Sequence, residues 1–434
     1  MSDFVPVNAD LHIHGLFSGA VSGKMKPEII GAQAKLKGIK IVGTGDILNR
    51  RWLELFDDVS INKVDDSLFV HKNGTFFMLQ TEVEDSKRIH HLIFFPSLSK
   101  VEEVREKLSR YCKNIDGDGR PKINLSGLEI AEAAIESECL IGPAHAFTPW
   151  TAIFKEYNSL NECYGKFRSN ISFIELGLSA DTNMADRISD LHNLTFLSNS
   201  DAHSPWPNKL GREFNTFLLK EINFEEIAKA IKREEGRKSI LNVGLNPLEG
   251  KYHKTRCIKC LTFFSKNDAG SYKYRCPVCH GTIKKGVSDR VDELADLNEL
   301  TDLKEAIHPD HRPEYKHIIP LSEIIAIALK IRSPYSEKVQ NLWRNFVSKY
   351  SNEIDVLINV DILKLDKLNE KTAELIKDFR EDKFRYIPGG GGVYGIPVPP
   401  GKHATMKVWK NSKVNNVSLN ETIDKEQKSL TDFF

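Results

Sequence analysis

Between residues 1 and about 245, short apolar runs recur, and almost every one ends in a polar tip. "IKIVGTGDI", "FFMLQTEVE", "IHHLIFFP", "CLIGPAHAF", "ISFIELGLS" and "LTFLSNSDAH" each have the length and the β-branched or aromatic content of a buried strand. Helical patterns with defined ends lie between several of them. Pro27 suits the first turn of a helix that Gly38 stops, and Ser126 with Glu129 forms a capping box before "LEIAEAAIESE". Strands that alternate with helices predict an α/β fold on a mostly parallel sheet or barrel. In such folds reactive groups gather at the carboxyl ends of the strands, where these polar tips fall.

The first run, "NADLHIHGLFSG", sets Asp10, His12 and His14 two residues apart. Alternate side chains of a strand share a face, so the three are expected on one side, as metal ligands would be. An isolated pair of histidines is more often a solvated strand face. Here the later tips add Asp46 in "GTGD", Glu82 in "QTEVE", His90 or His91 in "RIHHL", His145 in "GPAHAF", and Asp201 with His203 in "NSDAHSP". A histidine or carboxylate at nearly every strand end of one domain is unlikely to arise by chance and points to a metal site.

These motifs, in this order, resemble the PHP (polymerase and histidinol phosphatase) family of metal-dependent phosphoesterases. The resemblance implies a distorted (β/α)7 barrel over residues 1–245 holding two or three divalent metals. By that resemblance the ligands are His12, His14, Asp46, Glu82, His91, His145, Asp201 and His203, with Asp201 and His203 nearest the chemistry. His91 is preferred to His90 because "HLIFF" fits the family's strand better. Two positions depart from the pattern: Gly19 stands where many members have an aspartate, and Asp46 replaces a histidine. Mixed His, Asp and Glu donors suit zinc, manganese or iron and allow magnesium. Neither Ser200 nor Ser204 has the surroundings of a nucleophile, so direct attack by water is expected.

Beyond residue 245 the pattern changes. Cys257, Cys260, Cys276 and Cys279 are spaced C-x2-C-x15-C-x2-C, a structural zinc ligand set rather than a disulfide pattern. The stretch 251–286 carries nine Lys/Arg against Asp268 alone, and 383–413 carries six Lys/Arg and no acid. With a net charge of +1 overall, these segments at +8 and +6 leave −13 on the rest. Basic segments beside a carboxylate-rich remainder suit a polyanionic partner. Phe263, Phe264, Tyr272 and Tyr274 are equally read as base-stacking rings or as the core of the small module.

Residues 291–410 read as amphipathic helices followed by the glycine-rich loop "IPGGGGVYGIPVPPG", which is either a phosphate approach or a link. Residues 411–434 read as a flexible polar tail. No run approaches the roughly 18 apolar residues of a membrane span. "MSDFVPVNAD" has no signal-peptide pattern, so a cytoplasmic protein is expected.

A PHP barrel (1–245), a four-cysteine zinc module (246–290), helices and a "PGGGGVYG" loop together resemble the endonuclease Q family of DNA repair. That resemblance implies metal-dependent nicking 5′ to deaminated bases (hypoxanthine, uracil, xanthine) or abasic sites, in double- or single-stranded DNA. The rivals are a small-molecule phosphatase of the PHP family and a metal-depleted module that only binds DNA or a clamp. The final "QKSLTDFF" resembles the PCNA-interacting box, with Gln427, Leu430, Phe433 and Phe434 at its specified positions. It implies a sliding-clamp partner.

Overall fold

The computed structural model describes residues 4–296 and 306–419. Strand Val5–Asp10 pairs in parallel with Ile41–Gly43, which pairs in parallel with Phe76–Met78. On its other edge Val5–Asp10 runs antiparallel to Phe214–Leu219, and that strand antiparallel to Lys238–Gly244. The sheet Gln80–Glu84, His90–Phe94 and Leu140–Pro143 follows, then the parallel pair Phe173–Glu175 and Thr195–Leu197. The ring closes where Asn242 Nδ2 donates to the Phe196 carbonyl at 3.0 Å.

The result is the expected α/β barrel, but its strand directions are mixed rather than mostly parallel. The cause is connection length. Asp85 to Ile89 alone joins Gln80–Glu84 to His90–Phe94, and a parallel crossover needs about a dozen residues. Ala9, Ile41, Met78, Phe94, Phe173 and Leu197, from strands around the ring, share one buried cluster that Ile227 and Ile231 of helix Phe224–Lys232 cover. The neighbouring strands approach closely at Gly142, where a Cβ would lie 2.6 Å from the Phe173 carbonyl oxygen. The helix Pro27–Lys37 starts on its proline and ends at Gly38 with φ +91°, and Ser126 with Glu129 caps Gly127–Glu136.

The cysteine module folds around the antiparallel strands Arg256–Cys257 and Ile283–Lys284. Phe263 and Phe264 are buried, so both serve as packing and not as a stacking surface. Five helices from Leu321 to Arg380 pack about Ile324, Trp343, Phe346, Leu357 and Ile376, which makes the expected helical region. Strand Glu314–His317, however, pairs in parallel with Lys238–Gly244 and so joins the barrel sheet.

Lys413–Ser418, expected within the flexible tail, is instead a strand antiparallel to Thr405–Lys410. Asn411 and Ser412, at φ +53° and +58°, form the two-residue turn, the twist that tight hairpins favour. The hairpin packs on the cysteine module, with Phe263 N donating to the Lys407 carbonyl and Trp409 N to the Phe263 carbonyl, both at 2.8 Å. The clamp-box residues Gln427, Leu430, Phe433 and Phe434 lie outside the described residues.

The helical region is fastened to the barrel by a buried charge pair. Lys37 Nζ donates to Glu353 Oε1 and to the Pro207 carbonyl, both at 2.6 Å, and Trp343 Nε1 donates to Glu353 Oε2 at 2.5 Å. Both charged side chains are almost wholly buried. Removing one partner strands the other charge, which typically costs about 3–5 kcal/mol. Lys37→Met is therefore expected to lose about that much stability in denaturant titration, with part recovered in the Lys37→Met, Glu353→Leu double variant. Purely additive losses would show that the pair does not couple the two regions.

Candidate active site

Among the described residues, three groups of donor atoms meet where the chain leaves Val5–Asp10, Leu140–Pro143 and Thr195–Leu197, with Glu82 inside its strand and His90 at the amino end of His90–Phe94. Within each, the donors lie within 4.8 Å of one another: His12, His14 and Glu82; His14, Asp201 and His203; Glu82, His90 and His145. His14 belongs to two groups and Glu82 to two, so the groups overlap. His12 Nε2, His14 Nε2 and Asp201 Oδ1 are buried and make no hydrogen bond. Burial opposes charge on the imidazoles, yet the Glu175, Glu82 and Asp201 carboxylates outweigh it and push His12 up to about 9. Burial likewise opposes charge on His14, and Asp46, Asp201 and Glu82 nevertheless hold its pKa well above the usual range. A cluster that calls for this much positive charge, with free donor atoms facing inward, fits divalent cations.

The outer nitrogens of the first two histidines are held from behind. His14 Nδ1 donates to Asp46 Oδ1 at 3.0 Å, and Asp46 also accepts from Gly15 N and from Ser18 Oγ at 2.8 Å. His12 Nδ1 lies 3.0 Å from both oxygens of Glu175, which also accepts from His145 N and Asn199 Nδ2, each at 2.8 Å. A carboxylate behind an imidazole fixes its tautomer and aims the other nitrogen. Asp46, expected as a ligand, thus stands behind a donor and belongs to none of the three groups. Asp46, His145 and Asp201 have φ of +34°, +29° and +46°. Non-glycine residues in that region concentrate where surrounding contacts over-determine the backbone, commonly at functional sites.

Two further expectations are corrected. His91 points away from the cluster: its Nδ1 is 2.8 Å from Tyr164 Oη and its Nε2 3.3 Å from Asp85 Oδ2. His90 takes the place, with Nδ1 2.9 Å from Glu82 Oε1 and 3.2 Å from His145 Nε2. Strand register explains it. His90 is paired with Glu84, two residues from Glu82 and on its face, whereas His91 is paired with Val83 on the other. Asp10 also leaves the histidines' company, accepting from Ser200 N at 3.0 Å and Gly211 N at 2.9 Å.

Above the cluster opens a cavity of about 730 Å³. Its walls carry Arg120, Lys209 and Arg212, which no motif singled out, with Lys251 of the basic stretch and Tyr394 of the glycine-rich loop. Arg120 Nη1 lies 3.1 Å from Glu82 Oε2. Arg212 Nη1 donates to Tyr394 Oη at 3.1 Å, and Lys209 and Lys251 stand 4.7 and 4.9 Å from the Tyr394 ring. Burial alone would raise the Tyr394 phenol; Arg212, Lys209 and Lys251 overcome it and bring it down to about 8. Such a wall attracts anions. Tyr394 arrives from the glycine-rich loop, whose glycines meet this chain's own backbone. A Cβ at Gly389 would lie 2.1 Å from the Gly250 carbonyl oxygen and one at Gly390 2.3 Å from that of Lys254.

The four cysteine thiols form a separate cluster within 4.8 Å. Cys257 and Cys279 Sγ are 3.4 Å apart, Cys260 and Cys276 Sγ 3.6 Å. Zinc bonds of about 2.3 Å set tetrahedral S–S edges near ~3.8 Å, so the quartet fits one tetrahedral metal with no open position.

Comparison with known proteins gives a consistent picture. The family described as the MJ0043 C-terminal domain matches residues 320–383. A Methanocaldococcus jannaschii protein, MJ0043, is 49% identical over 256 residues, 58% of this chain but 31% of that longer protein. YqxK of Bacillus subtilis is 33% identical over 409 residues, 90% of this chain and 98% of its own. The lesion-specific endonuclease Q of Pyrococcus furiosus is 49% identical with a TM-score of 0.84, covering 92% of this chain and 96% of that one. Endonuclease Q in complex with a 27-mer duplex substrate carrying an abasic lesion at its active site is 48% identical with a TM-score of 0.86, covering 92% and 97%. With nearly half of its residues identical and the fold shared over almost the full length of both chains, this protein belongs to the endonuclease Q family.

Proposed function

We propose that the protein is a metal-dependent endonuclease that nicks DNA on the 5′ side of an abasic site or of a deaminated base (hypoxanthine, uracil or xanthine). The observation that carries this reading is three overlapping donor groups beneath a cavity walled by cations. His12, His14, Glu82, His90, His145, Asp201 and His203 would hold two or three divalent ions, zinc, manganese or magnesium. What such ions supply is an acidified water and neutralisation of the phosphodiester oxygens. The four-cysteine cluster would hold one structural zinc.

The chain's own groups account for the rest. Lys209, Arg212 and Lys251 surround Tyr394 at the cavity wall, where they can receive the phosphates that flank the cleaved bond. Arg120 neutralises part of the buried charge of Glu82 while still facing the cavity. The volume above the cluster can take an extruded nucleotide, and extrusion costs least where pairing is already damaged. A small metabolite would not need the basic module at 251–286. The setting we assign is chromosomal DNA in a prokaryotic cytoplasm, with PCNA as the tethering partner.

Metal analysis and nicking assays on duplexes with one inosine, uracil or abasic site test the reading. Asp201→Ala and His90→Ala should each lose barrel metal and nicking, whereas His91→Ala should keep the metal and lose roughly 1–3 kcal/mol of stability through its buried Tyr164 partner. Nicking by protein stripped of metal with a chelator, or metal retained in His90→Ala, would overturn the donor assignment.

Salt titration gives a second test. Each phosphate neutralised on a duplex adds roughly 0.9 to the slope of log affinity against log salt. Lys284→Ala should lower that slope by about 0.9 for every sequence alike, and an unaltered slope would move the DNA path away from the cysteine module.

Clamp binding is tested by truncation after Glu426. The shortened chain should lose PCNA binding and still nick naked DNA. Persistent clamp binding would dismiss Gln427, Leu430, Phe433 and Phe434 as the contact.

A further inference from the structure

One aromatic side chain at the mouth of the cavity has no part in holding metal or phosphate. Trp150 follows Pro149 on the loop that leaves the strand tip at His145, and it lines the cavity above the donor cluster. The loop is fastened to that cluster's own backbone: Thr148 N donates to the His145 carbonyl, and the Thr151 carbonyl accepts from His90 N, both at 2.9 Å. The indole is 45% exposed. Beyond it lies a second hollow of about 460 Å³, lined by Pro149, Lys155, Lys284, Lys285 and Arg290 and by Glu293, which pairs with Lys285 and Arg290. Trp150 therefore stands on the ridge between a basic groove and a nucleotide-sized cavity.

Its surroundings leave the ring available. Tyr252 meets it edge-on, with centroids 6.4 Å apart and planes at 73°. Lys284 Nζ lies 3.4 Å over its face. A cation over an exposed ring is weakly held, and a phosphate can draw it away. The face it leaves is a large planar apolar surface set on a rigid loop, the property that lets an aromatic side chain replace a stacking partner in nucleic acid.

We infer that Trp150 is a positioning residue for duplex substrates: its indole stacks on the base next to the lesion and fills the gap left when the target nucleotide enters the cavity. This rests on the reading of the protein as a lesion endonuclease. Lys284 and Lys155 are placed to hold the backbone beside it. Unstacking a duplex step carries a cost that inserted apolar side chains offset in DNA-bending proteins. In a single strand there is no helix to hold open, so the contribution of Trp150 is specific to the duplex.

The test compares nicking of one abasic site in a duplex and in the same oligonucleotide single-stranded. Trp150→Ala should lower the duplex-to-single-strand rate ratio by about tenfold, the scale of one lost base–aromatic stack. Trp150→Phe, which keeps a ring, should hold the ratio near wild type, and Trp150→Leu, which keeps only apolar bulk, should not. The drop must also match between abasic and inosine duplexes, because an abasic nucleotide brings no base into the cavity. A drop confined to inosine would mean that Trp150 reads the extruded base, and the inference would fail. Wild-type cleavage with an unchanged ratio in Trp150→Ala and Trp150→Leu overturns the role of Trp150 alone. A wild-type protein that cleaves neither substrate with manganese or magnesium overturns the endonuclease reading and this inference together.

Discussion

Everything at the site turns on one buried carboxylate. Glu82 lies 2.9 Å from His90 Nδ1, 2.9 Å from His145 Nε2, 3.3 Å from His14 Nε2 and 3.1 Å from Arg120 Nη1. Burial alone would drive its pKa up, but these neighbours, His90 foremost, hold it well below the usual carboxylate range. A fully buried anion without partners would cost several kcal/mol, of order the penalty for any stranded ion. The fold therefore has to deliver cationic or metal-binding groups from separate strand ends to one place. Neighbours drawn from residues 14, 90, 120 and 145 show how much of the chain must be in register before Glu82 is satisfied.

That register is enforced by a buried amide ladder beneath the donors. Asn199 Oδ1 accepts from Leu11 N at 3.0 Å, and Asn215 Nδ2 donates to the same oxygen at 3.0 Å. Asn215 Oδ1 in turn accepts from Ser198 N at 2.9 Å and from Asn242 Nδ2 at 2.8 Å. The ladder spans four strands and ends at Glu175 through Asn199 Nδ2, and so connects the barrel interior to the carboxylate that orients His12. A slipped strand would break these amide bonds inside the barrel, so a network of this kind favours one arrangement. The positive φ values at Asp46, His145 and Asp201 persist for the same reason.

How legible was this in the residues? The strand tips were, because a charged residue at the end of a buried apolar run has few uses other than a site. Period-two parity also carried the answer for His90. Glu82 and Glu84 share a face, and a short hairpin pairs His90 with Glu84, so parity outranks the family-like look of "HLIFF". The hairpin over 405–418 was legible as well, through the Asn-Ser pair between alternating residues, although its polar composition reads as a tail. Glu175 was visible as the acid ending "FIE", but nothing local distinguishes a residue that holds metal from one that holds a histidine. Arg120, Lys209 and Arg212 were not legible, nor was the place of Tyr394 beside them, because loops with no periodic pattern bring these residues to the cavity from far apart in sequence, 182 residues between Arg212 and Tyr394 alone.

The same contacts explain why the parts are not beads on a string. The glycine-rich loop lies along the segment that enters the cysteine module: Lys254 N donates to the Gly389 carbonyl at 2.9 Å, and Gly389 N to that of Leu248 at 2.7 Å. The loop needs glycine because side chains there would collide with backbone, and its close fit is what carries Tyr394 across to Arg212. The 405–418 hairpin then returns to the module, where Trp409 stacks on Phe264 at 5.8 Å. Lys37 and Glu353 fasten the intervening helices to the barrel. Two basic segments far apart in sequence are thereby folded against each other, next to the mouth of an acidic, histidine-rich cleft. Their positive field offsets part of the carboxylate charge gathered at the donor cluster.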